Sequence, residues 1–421
     1  MNRLILAEPG LAGQTGHQQA HARALAAECR RRGFSFLALA SANANDAVLT
    51  EFPGRKAFRI GVFDRPGPGG WLAPLVDWRA WSRQYQRDFA AALQDLDPAE
   101  DLLVLNTVKV PVLEGFSRWL TSRRADGPAT VVVLRLPVEE GLPRGRLPQA
   151  SRWLYRRVLN RLRQQLGQRL LLAADTPLIA EDFERLIRRP VASIPLPIDV
   201  PPPVPPRNDR TLVHLVFPSP SRRRGFELLP SAFEAAFARH SELAATVRLP
   251  IKPRGRDREA IARLETMAPR VRLLRDALPD AEFYSLLSDA DVVLLSYDPD
   301  VFAQRSSQIL IECAALGRPV IVTAATFLES ECRAAGIVGV TAEAFTSGAM
   351  ADAIGRFVDD RERLAAAAWS AGPEHRQRHS VVAFMDRLVA FAASCETAAS
   401  GRSSQSAVCG YGAAAVEQDV R

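Results

Sequence analysis

The chain has 421 residues, 47% of them apolar, so it can bury large cores, and its length predicts two or three domains. Its net charge of +7 rests almost wholly on arginine, since only Lys56, Lys109 and Lys252 are lysine, and this indicates a compositional bias. No helix-turn-helix, zinc-finger or aromatic RNA-binding motif accompanies the charge, so we expect no nucleic acid among the partners.

Five cysteines are scattered without CxxC spacing, and their odd number argues against a disulfide framework. A reducing compartment is therefore expected. The first residues, MNRLILAEPG, hold too short an apolar run for a secretory signal, and no run approaches the roughly 18 apolar residues of a membrane span. We expect a cytoplasmic protein, with peripheral contact at the inner face of the membrane left open.

In the first half of the chain, short apolar runs alternate with longer helical patterns, which is typical of parallel sheets with helical crossovers. We assign residues 1–195 to a first α/β domain. The apolar runs predict strands at residues 3–7, 34–40, 101–106, 130–136 and 169–173. The longer patterns predict helices at residues 17–32, 75–96, 112–123, 147–166 and 177–188.

Residues 196–209 are rich in proline, which removes the backbone donors that a helix or central strand needs, so they predict a linker. A second α/β domain is assigned to residues 210–375, a terminal helix to residues 376–395 and a disordered tail to residues 396–421. The strands expected in the second domain are 211–217, 246–251, 271–274, 291–296 and 319–323. Its expected helices are 226–239, 256–267, 281–288 and 308–316.

The first predicted strand is followed by a glycine-rich turn. Gly10, Gly13 and Gly16 permit a tight backbone path into the helix that begins at His17, and such a turn suits phosphate or a hydroxyl-rich substrate. The spacing is GxxGxxG, and the first acid after the second strand is Asp46, so a dinucleotide site is disfavoured. We predict substrate contacts from Gly13, Gly16 and His17, with a solvated histidine at position 17 as the alternative.

Two histidine pairs have the spacing that places side chains on one helix face. They are His17 with His21 and His375 with His379. Neither pair brings the glutamate of a zincin motif or a neighbouring cysteine, so we expect no metal site.

The segment QILIECAALGRPVIVT, residues 308–323, predicts a short helix that runs directly into a buried strand. Ser306 and Ser307 are predicted to supply N-cap hydroxyls, and Gly317 to end the helix. The free amides at its start, as far as Gln308 and Ile309, would face outward from the sheet. Together with the helix dipole they predict an anion site that suits phosphate.

Charged residues surround this predicted site. Glu312 lies one turn into the helix and Arg305 just before it, so a carboxylate could accept from sugar hydroxyls while a guanidinium holds phosphate. A run of three arginines ending at Arg224 precedes another helix start and opposes its dipole, which favours an anionic ligand over a solvated charge run. The alternative for residues 308–316 is an amphipathic core helix with a surface glutamate.

Two strings in the second half resemble one enzyme family. VFAQRSSQILIECAALGRPVIV is similar to the nucleotide-sugar-binding segment of the family 4 glycosyltransferases, and PSRRRGFELLPSAFEAA resembles their basic diphosphate-binding turn and the helix that follows. These are retaining enzymes of the GT-B fold. The resemblance implies an α/β protein whose two Rossmann-like domains face each other across a cleft, the first binding the acceptor and the second the donor, with the terminal helix packing back on the first.

The resemblance also implies an activity. A sugar would move from a nucleoside-diphosphate sugar to the hydroxyl of a glycan, lipid-linked or small-molecule acceptor with retention, as in cell-envelope or polysaccharide synthesis, without a cofactor or metal. By resemblance Arg224 and Arg305 would stabilise the leaving diphosphate, Glu312 would hold the ribose and Gln304 would face the transferred sugar. Gln304 replaces a glutamate of the family, and Ser219 replaces an arginine.

Several alternatives remain open. An inverting reaction would need a general base, for which His17, Glu139 and Glu140 are available, although the two glutamates are more typical of loop acids. A nucleotide-sugar epimerase or hydrolase would share the donor site, and so would a catalytically silent binding protein.

The basic segment from Ser151 is amphipathic, and it predicts a crossover-helix packing face or, alternatively, a surface that docks on anionic lipid. Its apolar positions are Trp153, Leu154, Val158, Leu159 and Leu162.

Overall fold

The computed structural model describes residues 1–13, 17–64, 73–123, 127–143, 147–206, 211–276 and 278–399. Two fully parallel sheets of short apolar strands organise these residues, one in each half of the chain. Helices connect successive strands, as parallel pairing requires. Both sheets carry apolar clusters on their two faces, so their central strands are buried.

The first sheet has seven strands in the order β3-β2-β1-β4-β5-β6-β7. Its strands are β1 Arg3–Ala7, β2 Ser35–Ser41, β3 Gly54–Phe58, β4 Asp101–Asn106, β5 Ala129–Leu134, β6 Leu170–Ala174 and β7 Ala192–Ser193. The helices between them are α1 His17–Arg31, α2 Asp46–Leu49, α3 Ala73–Ala92, α4 Val110–Ser122, α5 Pro148–Leu166 and α6 Pro177–Ile187.

The second sheet has six strands in the order β10-β9-β8-β11-β12-β13, which repeats the arrangement of the first six strands of the chain. Its strands are β8 Val213–Phe217, β9 Leu243–Arg248, β10 Val271–Leu274, β11 Val292–Leu295, β12 Val320–Thr323 and β13 Gly339–Ala342. Its helices are α7 Leu229–Arg239, α8 Arg256–Glu265, α9 Asp280–Ser288, α10 Pro299–Phe302, α11 Gln308–Ala315, α12 Phe327–Ala335 and α13 Ser347–Asp359.

Two long helices end the described chain. The first, α14 Arg361–Arg378, packs against α11 in the second domain. The second, α15 Val381–Ala399, returns to the first domain, where Phe384, Met385 and Leu388 join the apolar cluster beneath α1. Helix α15 extends past residue 396, where the tail was predicted to begin, and residues 400–421 lie outside the described range.

The proline-rich segment carries no helix or strand between residues 194 and 206, and the rest of the predicted linker, 207–210, lies outside the described residues. It crosses between the domains alongside the end of α14. The backbone amide of Ile198 donates to the carbonyl of His379 at 2.9 Å, and His379 Nδ1 lies 3.1 Å from the carbonyl of Leu196. The two chain crossings between the domains are therefore tied together.

Several elements differ from the sequence prediction. The edge strands β3 and β13 were missed, because GRKAF and GVTA are half exposed and lack an apolar alternation. The strand predicted at residues 246–251 lies three residues earlier, so Arg248 is its last residue. The predicted helix 226–239 begins with a 3-10 turn, Phe226–Leu228, before α7.

Helix α5 shows why its sequence is amphipathic. Leu154, Val158, Leu159 and Leu162 are buried in the first domain, as a crossover helix requires, whereas Trp153 was wrongly included in that face and is 59% exposed. None of the helices in the described part of the chain is both long enough and apolar enough to cross a membrane.

Helices α3 and α4 approach closely at Gly115. A Cβ atom at this position would lie 2.5 Å from Cβ of Tyr85 and 2.9 Å from the carbonyl oxygen of Ser82. We predict that Gly115→Ala lowers the free energy of unfolding by about 1–3 kcal/mol, because the two helices must separate. Urea unfolding followed by tryptophan fluorescence measures the change.

A matched control is Gly348, which lies in α13, where a Cβ atom would have no neighbour within 4 Å. Gly348→Ala should leave stability unchanged or raise it by about 0.5–1 kcal/mol, since alanine favours a helix. Equal effects of the two substitutions would contradict the close approach of α3 and α4.

Candidate functional site

A cavity of about 420 Å³ lies between the two domains. The first domain contributes Arg135 and Asp175, which follow strands β5 and β6, and the second contributes Arg248 at the end of β9. The carboxyl edges of both sheets therefore border one cavity, which is where open α/β sheets bind ligands. The second domain also lines it with Arg224, Tyr284, Tyr297, Ser306, Ser307, Gln308, Ile309 and Glu312.

The start of α11 opens onto this cavity. Ser307 is its N-cap residue, but the hydroxyl makes no cap bond and lies 3.2 Å from the Tyr297 hydroxyl instead. Ser306 Oγ donates to Asp175 Oδ2 across the domain boundary at 3.0 Å. The prediction that these serines supply capping hydroxyls is therefore wrong. Because the caps are missing, the first amides of α11, at Gln308 and Ile309, remain available beside the cavity.

Helix α11 ends just before Gly317, as the sequence predicted. Gly317 has a φ of 66°, and a Cβ at this position would lie 3.1 Å from Cα of Trp369 in α14. Glycine therefore both permits the left-handed turn and allows α14 to approach. The following strand, β12, pairs with β11 and β13 and fixes α11 at the cavity wall.

Arg224 ends a short 3-10 turn, Arg222–Arg224, that follows β8. Gly225 comes next with a φ of 82°, and a Cβ there would lie 2.6 Å from the carbonyl oxygen of Ser296, so glycine is required. The turn directs the Arg224 guanidinium onto the faces of Tyr297 and Phe302, at 5.3 and 5.9 Å from their ring centres.

Arg224 also donates to Ser219 Oγ. Among the residues that the structure describes, no carboxylate forms an ion pair with it. Its neighbour Arg222 differs, because that side chain is 72% exposed and pairs with Glu227 at 3.6 Å. The basic run is thus divided between one cation held at the cavity and cations that face solvent.

Glu312 is buried in the cavity wall, with only 4% of the residue exposed. Gln308 Nε2 donates to its Oε1 at 2.8 Å, and the Tyr284 hydroxyl donates to the same oxygen at 3.4 Å. Burial raises the pKa of Glu312 to about 7, against the lowering effect of these two hydrogen bonds. The alternative of a surface glutamate on α11 is therefore wrong.

The sequence predicted that Arg305 holds phosphate at this site, but Arg305 is not among the residues that line the cavity. Its Nη2 is ion-paired with Glu140 Oε2, a carboxylate of the first domain 165 residues away. The pair bridges the two domains beside the start of α11. Gln304 is half-buried in the loop that leads to Arg305, and it is likewise not among the residues that line the cavity.

The first-domain edge of the cavity has polar residues that no local sequence pattern indicated. Arg135 Nη1 donates to Thr107 Oγ1 at 3.1 Å, and Arg135 Nε lies 3.5 Å from Asp175 Oδ2. Burial raises the pKa of Asp175, although Arg135 acts in the opposite direction. Thr107 has a φ of 52°, a strained backbone at the end of β4.

Beneath this edge lies a buried glutamate, Glu8, directly after β1. Asn106 Nδ2 and the Thr107 hydroxyl donate to its Oε2 at 2.7 and 2.9 Å, and the amide of Gly10 donates to its Oε1 at 3.0 Å. Burial raises the pKa of Glu8 to about 7. The carboxylate therefore fixes the start of the glycine-rich turn.

The glycine-rich turn itself is described in part. Gly13 is exposed, and Gly16 lies outside the described residues. His17 begins α1, and only its backbone is among what the structure describes. Their predicted substrate contacts stay predictions. Of the two candidate bases in the first-domain loop, Glu139 pairs with Arg152 at 2.6 Å and Glu140 pairs with Arg305, so both have structural partners.

Three solved structures place this architecture among known proteins. HepE from Anabaena, solved with UDP-glucose, matches with a TM-score of 0.61 at 18% identity, covering 93% of this chain and 99% of that one. Sucrose-phosphate synthase from Thermosynechococcus elongatus matches with a TM-score of 0.63 at 16% identity, covering 95% and 98%. A Listeria monocytogenes protein described as a UDP-N-acetylglucosamine 2-epimerase matches with a TM-score of 0.60 at 12% identity, covering 94% and 97%.

No protein-family model and no curated protein sequence matches the chain. Identities this low show the fold alone. The predicted fold class is confirmed, because two parallel-sheet α/β domains face each other across a cleft as in GT-B proteins.

The buried state of Glu312 predicts a pH effect on stability. Its folded-state pKa is raised from 4.5 to about 7, so its contribution to stability is full below pH 4.5 and is lost as the pH rises through 7. We therefore expect Glu312→Gln to gain stability relative to the wild type between pH 5 and pH 8, and the difference to level off above that range. Urea unfolding of both proteins at pH 5, 6, 7 and 8 measures it, and a difference independent of pH would contradict the burial of an ionisable carboxylate.

Proposed function

We propose that the protein is a glycosyltransferase that transfers a sugar from a nucleoside-diphosphate sugar to an acceptor hydroxyl. One observation carries the proposal. The Arg224 guanidinium, the uncapped amides at the start of α11 and the Glu312 carboxylate lie on one wall of the cavity between the domains. The similar fold of HepE, which was solved with UDP-glucose, supports the same choice of donor.

The second-domain wall supplies the groups that a donor needs. Helix amides and a guanidinium bind phosphate oxygens, and the carboxylate of Glu312 accepts hydrogen bonds from ribose hydroxyls. Since Glu312 and the α11 amides are one helical turn apart, the ribose and the diphosphate can occupy adjacent positions along α11. The acceptor then approaches from the first-domain edge at Arg135 and Asp175.

Charge stabilisation is the main catalytic task in this proposal. The bond between the sugar's anomeric carbon and the diphosphate oxygen breaks, and negative charge collects on the leaving diphosphate. Arg224 and the amides of Gln308 and Ile309 stabilise that charge at the cavity wall. The acceptor oxygen bonds to the anomeric carbon, and its proton passes to a phosphate oxygen of the leaving group.

Such a path retains the configuration of the sugar and needs no protein nucleophile, in keeping with the resemblance of residues 301–322 to family 4 glycosyltransferases. The ion pairs of Glu139 and Glu140 also support it, because both carboxylates already have arginine partners. We therefore propose a retaining transfer onto a glycan, lipid-linked or small-molecule acceptor.

An epimerase or hydrolase acting on nucleotide sugars is the second candidate, favoured by the similar fold of the Listeria protein. The two candidates differ in what they need. A transferase makes a glycosylated product only when acceptor is present, whereas an epimerase or hydrolase converts the donor without one. Product analysis with UDP-glucose, with and without acceptor sugars, separates them.

Donor binding tests the role of Arg224. Wild-type protein should gain thermal stability from at least one of UDP-, GDP- and ADP-glucose. We predict that Arg224→Met weakens binding of that donor by about 10- to 100-fold, because a charge-assisted hydrogen bond is worth about 1.5–3 kcal/mol. Titration calorimetry measures the loss.

The matched control is Arg222→Met, which removes an equal charge from the same turn. Arg222 faces solvent and Glu227, so its loss should change donor affinity less than twofold. Equal losses in the two variants would indicate a general effect of charge, and no stabilisation by any of the three donors would overturn the proposed function.

Arg305 reaches the diphosphate only by exchanging its partner, Glu140. If it does so, Glu140→Gln should strengthen donor binding by about two- to fivefold, because a half-exposed ion pair no longer competes. Arg305→Met should weaken donor binding, and calorimetry with both variants measures the two changes. Weaker donor binding in Glu140→Gln would show instead that the pair acts as a clamp between the domains.

A further inference from the structure

Arg248 is a second cation at the cavity, and no sequence motif assigns it a role. As the last residue of β9, it lies at the carboxyl edge of the second sheet, next to the strand that precedes Arg224. Its Nη1 donates to the carbonyl of Pro218 at 3.0 Å, and its guanidinium lies 5.5 Å from the ring centre of Phe283. Both Arg224 and Arg248 line the cavity.

The positive charge of Arg248 has no acidic partner in the described part of the chain. No carboxylate pairs with it, and its buried Nε makes no hydrogen bond. Burial lowers the pKa of the guanidinium, with no neighbouring acid to oppose the effect. A half-buried charge of this kind is costly unless an ion of opposite charge compensates it.

Three of the acidic groups that line the cavity already have other partners. Asp280 lies 3.4 Å from Arg23, Asp175 contacts Arg135, and Glu312 accepts from Gln308. None of these carboxylates is thus placed to neutralise Arg248. An anion bound in the cavity would supply the compensating charge.

Arg270 shows what a structural arginine looks like in the same domain. Its guanidinium donates to three backbone carbonyls, those of Leu243, Phe237 and His240, and lies 4.1 Å from the ring centre of Phe237. Every nitrogen of that side chain has a partner. Arg248 has one carbonyl partner and an open cavity in front of it, so a purely structural role does not account for it.

We propose that Arg248 binds the diphosphate of the donor together with Arg224 and the first amides of α11. The inference rests on the proposed function and adds one more residue that binds the diphosphate. Arg248 contacts Pro218, the residue just before Ser219, where the resembled family carries an arginine. A guanidinium from β9 therefore supplies the positive charge that position 219 lacks.

The test compares nucleoside mono- and diphosphates, since the inference concerns the second phosphate. Calorimetry with UMP and UDP, and with the guanosine and adenosine pairs, gives the affinity gain per added phosphate. In the wild type the diphosphate should bind more tightly than the monophosphate. In Arg248→Met that gain should fall by about 10- to 100-fold, and in Arg248→Lys by less, because the charge remains.

Thermal unfolding of the ligand-free variants separates binding from packing. Arg248→Met should unfold at or above the wild-type temperature, because an uncompensated charge is removed while the apolar stem is kept. The control Arg270→Met should unfold at a lower temperature, since three carbonyls lose their donor, yet it should keep the wild-type preference for diphosphate.

An Arg248→Met protein with an unchanged diphosphate preference overturns this inference and leaves the proposed function standing. A large drop in its unfolding temperature, with equal losses for mono- and diphosphate, shows a structural role and overturns it too. A wild-type protein that binds none of the three nucleoside diphosphates overturns the inference and the proposed function together.

Discussion

Positive charge that the protein does not neutralise is the constraint on which this structure depends. Arg224 and Arg248 lie at the wall of one interdomain cavity, without a carboxylate partner in the described part of the chain. Aromatic faces and single oxygen acceptors hold both guanidinium groups in place. The start of α11 adds free amides to the same wall. Removing charge from water without compensation is costly, and this cost is the reason for proposing that an anion completes the site.

The arrangement of the two sheets explains why both domains contribute residues to the cavity. Each sheet repeats one strand order, so the carboxyl edge of each domain gathers loops from strands that are distant in sequence. The second-domain edge is cationic. The first-domain edge is a network of acids with partners, in which Asp175 contacts both Arg135 and Ser306. This difference in charge fits the proposal that the diphosphate binds at the second domain and the acceptor approaches from the first.

Sequence patterns could predict the elements that depend on residues close together in the chain. The central strands follow from apolar runs, and α11 follows from Gly317 and the strand behind it. The edge strands β3 and β13 could not be predicted, because half-exposed strands carry little periodicity. The serine caps were wrong, since the hydroxyls of Ser306 and Ser307 bond to Asp175 and Tyr297, and a tertiary contact replaced a local one. Arg248 was overlooked because the strand was placed three residues too late, which put this residue inside the sheet and not at its edge.

A crystal structure of the protein with the nucleoside diphosphate that stabilises it most tests the central claim directly. We predict phosphate oxygens within hydrogen-bonding distance of the Arg224 guanidinium and of the amides of Gln308 and Ile309, with a ribose hydroxyl on Glu312. A nucleotide bound away from the start of α11, with Arg224 still directed at Ser219 alone, would contradict the claim that this wall of the cavity holds the diphosphate.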